Sequence, residues 1–144
     1  MVRTTGSKRS PLLRYLLIFI LGGAGYYLLE ILYRGHSHWT MALCGGICLL
    51  GICFINSKFR RINAILRALL CALMITAVEF LAGCIVNVWL GLNVWSYNAR
   101  PFNFMGQICL GFSFLWFVLS LAICVVLSIS AKKKGATEGV QNKR

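Results

Sequence analysis

Four apolar runs separated by short polar segments organise this chain of 144 residues. The first covers residues 12–33; about 22 residues at 1.5 Å each match a hydrocarbon layer of roughly 30 Å. Pro11 stands at its start, where a missing backbone N–H is harmless. The other runs cover about 39–56, 64–90 and 103–130. Each is long enough for a membrane helix, so the predicted fold class is all-α: an integral membrane four-helix bundle built from two transmembrane hairpins. The domain plan is a polar, basic segment over 1–11, a transmembrane domain over 12–130 and a second basic tail over 131–144. A basic start and the small cluster Gly22-Gly23-Ala24-Gly25 imitate a signal peptide. The apolar run continues through Tyr26–Ile31, however, and the reading is a retained helix.

The polar positions inside these runs are periodic. On the third helix Ala68, Ala72, Thr76, Glu79, Gly83 and Asn87 recur at steps of three or four, which puts them on one stripe. Leu69, Leu70, Leu73, Ile75, Phe80, Leu81, Ile85 and Val86 fall elsewhere. Small and polar stripes let membrane helices approach closely, so Glu79 is expected to face protein and not lipid. Arg67 is expected to snorkel to the near surface. The second helix carries a thinner stripe, Ala42, Gly46, Cys53 and Asn56. The fourth carries Gly106, Ser113, Ser120, Cys124 and Ser128.

Composition agrees with the pattern. The chain is 59% hydrophobic and 12% charged, with mean hydropathy +0.78; soluble domains carry about 25% charged residues. The net charge is +12. Thirteen of the fifteen Lys and Arg residues fall on the side of the two termini, against Arg34 and Arg100 opposite. By the positive-inside bias, both termini are expected to be cytoplasmic. The basic segments are short and meet the lipid bilayer, and no soluble domain is left to present a nucleic-acid surface. Tyr26, Tyr27, Tyr33, Trp39, Trp89, Trp95 and Tyr97 fit interfacial aromatic belts. The seven cysteines lie in apolar runs without a C-x-x-C pair and read as small fillers; no disulfide framework or metal site is indicated. A weak internal repeat pairs Glu30 with Glu79, and Ile47-Cys48-Leu49 with Ile108-Cys109-Leu110.

Three acids stand in the chain, Glu30, Glu79 and Glu138. Glu30 precedes Arg34 by four residues, which suits an ion pair at the membrane surface. Glu79 lies mid-helix. It is either hydrogen-bonded, with Thr76, Asn87 or Gln107 as candidate partners, or part of a substrate or proton path. His36 and His38 form a solvated turn. There is no aspartate, no G-x-S-x-G, no H-E-x-x-H and no phosphate-binding glycine loop. No catalytic residue, cofactor or metal is therefore expected, and the chain does not read as an enzyme.

The loop before the fourth helix is dense in ordering side chains: Trp95-Ser96-Tyr97-Asn98-Ala99-Arg100-Pro101-Phe102-Asn103. Pro101 biases Arg100 away from helix, and Asn103 is placed to cap the helix that follows. These residues carry a resemblance. Glu79, Trp95 and Tyr97 in VWSYN, and Pro101, Asn103 and Gly106 in PFNFMGQICL, resemble the bacterial ABC-transporter type IV (CmpB-like) family. Glu30 corresponds to that family's first-helix glutamate. Ser96 stands where the family carries an aspartate, and Asn98 where it carries a serine.

The resemblance implies a transport-type membrane component, similar to an ABC permease, working with a separate ATPase subunit or as a homo-oligomer. The candidate polar interior and outer loop are Glu79, Glu30, Asn87, Trp95, Tyr97, Asn103 and Gln107. A small proton-coupled exporter using Glu79, and a structural or interaction membrane protein, are the alternatives.

Overall fold

The structure, a computed structural model, describes residues 10–141, with side chains over 10–133. Residues 1–9 of the predicted basic segment and the last three of the tail lie outside the described residues. The class is all-α, with four helices among the described residues, each long and apolar enough to cross a membrane: α1 (Pro11–Arg34), α2 (Trp39–Lys58), α3 (Ala64–Gly83) and α4 (Leu110–Gln141). Among the described residues the strands are limited to one small hairpin, β1 (Asn103–Phe104) and β2 (Ile108–Cys109). The chain divides into two compact units, Met1–Leu50 and Gly51–Arg144, so α2 contributes to both.

In the first unit α1 begins at Pro11 as predicted, with the Ser10 side chain accepting from the Leu13 N–H at 3.3 Å. It runs without a break past the glycine cluster to Arg34. It ends at Gly35, whose φ of 76° lets its N–H return to the Ile31 carbonyl. The glycine cluster has a packing reason. A methyl group on Gly22 would lie 2.6 Å from the Gly45 carbonyl oxygen, and one on Gly23 2.6 Å from that of Ala42. Here α1 and α2 meet backbone to backbone, an approach only small residues allow.

The second unit holds the end of α2, then α3, a long loop and α4. Asn63 caps α3 by accepting from the Leu66 N–H at 2.8 Å. The predicted stripe is buried in sequence order: Ala68, Ala72, Glu79, Gly83 and Asn87 are buried, while Leu69, Leu73, Leu81 and Ile85 face outward. Ile75 and Val86, expected on the outer faces, are also buried. The last turns of this span, Cys84–Trp89, wind as a π-helix, closed by a bond from the Leu90 N–H to the Ile85 carbonyl at 2.9 Å.

Two expected boundaries are corrected. The fourth helix starts at Leu110 and not at residue 103. Phe102, Met105 and Gly106 have φ values of 52°, 52° and 67°, which a right-handed helix cannot contain. Residues 103–109 form the β hairpin instead, with Asn103 opposite Cys109 and Phe104 opposite Ile108. Asn103 therefore caps a turn and no helix: its amide donates to the Arg100 carbonyl at 2.8 Å, and its oxygen accepts from the Gly106 N–H at 3.2 Å. Gly106 consequently leaves the helical stripe of α4. At the other end, the tail expected from residue 131 continues as helix to Gln141. Ala131 and the three lysines after it are good helix formers extending an existing helix. The two Ile-Cys-Leu runs of the suggested repeat also lie in different structures, one inside α2 and one across β2 and the start of α4.

Candidate functional site

The site is assembled where the long loop folds back on the α3–α4 seam. α3 and α4 run antiparallel, and the period of four on each brings Glu79 opposite Trp116. Glu79 is 6% exposed. One carboxylate oxygen accepts from the Tyr97 hydroxyl at 2.8 Å and the other from the Trp116 indole N–H at 3.0 Å. Glu79 thus ties three segments together: α3, the loop and α4. Thr76, one turn away, donates to Ser113 across the same seam at 3.1 Å.

The loop is held in place by a second cluster. Trp95 is buried and donates its indole N–H to the Gln107 carbonyl at 3.0 Å. The Gln107 side chain accepts from Asn87 at 2.9 Å and donates to the Met105 carbonyl at 3.0 Å. Asn87, in the π-helical turn, accepts from the Val94 N–H at 2.7 Å. Gly83 leaves the room for this arrangement, since a methyl group there would stand 2.6 Å from the Gln107 side-chain oxygen. A π-helical turn shifts the register of the residues it carries, and such turns recur at functional sites. Tyr97 stacks on Phe112 with ring centres 4.8 Å apart, and the Arg100 guanidinium lies 6.0 Å from the same Phe112 ring.

Six of the seven predicted residues are thus in one unit: Glu79, Asn87, Trp95, Tyr97, Asn103 and Gln107. Their roles differ from expectation in two respects. Glu79 is bound by Tyr97 and Trp116 and not by Thr76, Asn87 or Gln107, which are engaged with other partners. Trp95 and Tyr97 do not belong to an aromatic belt: they are spent on internal hydrogen bonds, whereas Trp89 is 81% exposed. The seventh residue, Glu30, lies in the other unit. It forms the predicted ion pair with Arg34 and also accepts from Ser37 at 2.7 Å. His38 is engaged with the Thr40 hydroxyl at 2.8 Å.

Two features escaped the sequence reading. Trp116 sits three residues after Ser113 and four before Ser120, hence on the polar stripe of α4; an aromatic residue within a stripe of small ones was the available signal. Arg67 does not snorkel. It is 7% exposed, donating to the Asn56 side-chain oxygen at 3.2 Å and to Ser128 at 2.6 Å. Asn56 lies in the last turn of α2, where the carbonyl end of the helix favours a cation. Asn56 also donates to the Ile52 carbonyl and the Cys124 sulfur. Arg67 therefore joins α2, α3 and α4 at the end of the unit opposite the Glu79 cluster.

Chemically, a carboxyl group keeps acceptor capacity whether or not it carries a proton. Tyr97 and Trp116 can therefore hold Glu79 in place through the gain or loss of one.

The four helices, with apolar side chains such as Leu12, Leu28, Leu73 and Val126 turned outward, define a multi-pass membrane protein. The family model described as "Putative ABC-transporter type IV" matches residues 16–141, and the chain belongs to that family. The match spans both units and includes Glu30, Glu79 and the whole loop. No curated protein and no solved structure matched the chain.

Proposed function

We propose that this chain is a non-catalytic, transport-type membrane component, similar to an ABC permease subunit, that relies on a separate ATPase. The observation that carries this reading is the buried Glu79, held by Tyr97 and Trp116 in a chain of ABC-transporter family membership. Carboxylates at membrane depth are costly and cluster on substrate and ion pathways. In this reading nucleotide hydrolysis belongs to another subunit, in keeping with a sequence that carries no Walker motif. That subunit docks, in this reading, on the basic turn Lys58–Arg61, which is exposed. Arg67 and Ser128 join α3 to α4 at the end of the unit opposite the Glu79 cluster. In this reading the chain resides in the bacterial cytoplasmic membrane with both termini cytoplasmic, and the Glu79 cluster lies toward the opposite face.

Affinity purification of the tagged chain from its native membrane, followed by identification of co-eluting proteins, tests the proposal. An ATPase subunit is expected in stoichiometric amount. Solute movement by the chain alone in vesicles, with no ATPase recovered, would contradict it and favour the second reading, a proton-coupled exporter. That reading rests on the same buried carboxyl group and predicts that Glu79→Gln abolishes substrate-dependent proton flux.

A further inference from the structure

Phe112, the ring against which Tyr97 stacks, also lines an open groove of about 450 Å³ between the loop and the start of α4. Arg100 and Pro101 stand on one part of its wall, Cys109 lies beside them, and Phe112, Phe114, Leu115 and Val118 form its large apolar part. Phe114, Leu115 and Val118 are exposed. A methyl group added at Gly111, which also lines the groove, would meet nothing within 4 Å. From Gly111 to Val118 the wall follows α4 for roughly 10 Å, about a third of a hydrocarbon layer of roughly 30 Å.

Arg100 is the one basic residue in the sequence between Arg67 and Lys132. It sits at the head of an apolar wall, with its guanidinium over the edge formed by Phe112. A guanidinium matches a phosphate through paired hydrogen bonds, and the wall below it matches an acyl chain. A zwitterionic headgroup would bring its own ammonium toward Arg100, whereas an anionic one would not. We propose that this groove seats one membrane phospholipid of net negative charge, its phosphate on Arg100 and an acyl chain along Phe112, Leu115 and Val118. The inference stands apart from the transport reading, since it needs only the groove, the cation and the membrane setting.

The test uses the full chain in lipid nanodiscs and three diazirine probes: an acyl-labelled phosphatidylglycerol, the matching phosphatidylcholine and a free fatty acid. Crosslinks are mapped by mass spectrometry. Phosphatidylglycerol is expected to label residues 111–118 about fivefold more than phosphatidylcholine, the effect of one basic residue on an anionic lipid. Arg100→Gln, on an exposed loop, should bring the ratio to about one. Val118→Trp, or Leu115→Trp if the first variant elutes as misfolded protein, should lower labelling by both phospholipids. Equal labelling by the two phospholipids in the unmodified chain, or a preference that survives Arg100→Gln, would overturn the proposal. So would preferential labelling by the fatty acid.

Discussion

Glu79 has its carboxyl group satisfied on both oxygens by neutral donors from two different segments. Removing it by Glu79→Leu leaves the Tyr97 hydroxyl and the Trp116 indole without that acceptor inside an apolar seam. The expected cost is about 1–3 kcal/mol, the usual penalty for an orphaned buried polar group. Glu79→Gln keeps an acceptor at the same place and should cost less than about 1 kcal/mol, in line with the modest interhelical hydrogen bonds measured in bilayers. Thermal unfolding of the detergent-solubilised variants checks the order, and equal melting temperatures for the Gln and Leu variants would contradict it. Arg67 makes a parallel case at the other end. Arg67→Leu leaves the Asn56 and Ser128 side chains without their cationic donor. It should lower stability by a similar about 1–3 kcal/mol, while Arg60→Leu on the exposed turn should change it little.

Among the elements, the helices were legible because the membrane imposes length and stripe periodicity together. The α3 stripe through Ala68, Ala72, Glu79, Gly83 and Asn87 was readable to the residue. What was not readable was where apolar periodicity stops meaning helix. Residues 103–109 are as apolar as a helical turn, but the positive φ at Phe102, Met105 and Gly106 is a tertiary outcome that hydropathy does not encode. The partners of Glu79 were hidden for the same reason. Tyr97 lies eighteen positions from Glu79, and only the closed loop brings the two together. Arg67 was misplaced because a lone arginine near a helix end ordinarily reaches water; the Asn56 and Ser128 acceptors come from two other helices.

Two substitutions test the elements. Gly106 combines a φ of 67° with the Asn98 side chain standing where a β-carbon would go. Gly106→Val should therefore disorder the hairpin, at a cost of about 1–3 kcal/mol for the strained backbone, read as loss of protease resistance in the 91–109 loop. Gly23→Leu should force α1 and α2 apart at Ala42. A crosslink between cysteines introduced on α1 and α2 would then form more slowly, whereas Gly25→Leu, with open space around it, should leave the rate unchanged.

For the whole molecule, outward-facing leucine, valine and phenylalanine on the helices describe a protein solvated by lipid. The topology proposed here predicts that a cysteine placed at Asn98 reacts with an impermeant maleimide in intact cells, and one placed at Ser57 does not; the reverse pattern would invert the orientation. In the proposed orientation Glu79 lies in a span between the basic turn Lys58–Arg61 and an ordered loop on the far side. The most direct single measurement is ATP hydrolysis by the complex purified from native membranes, with the chain carrying either Glu79 or Glu79→Gln. The variant is expected to assemble with the ATPase subunit as before but to hydrolyse ATP at least about tenfold more slowly, the loss of roughly one 1.4 kcal/mol interaction in the working cycle. Hydrolysis at the same rate in both complexes would contradict a working role for Glu79 and leave it as a structural tie between α3, the loop and α4.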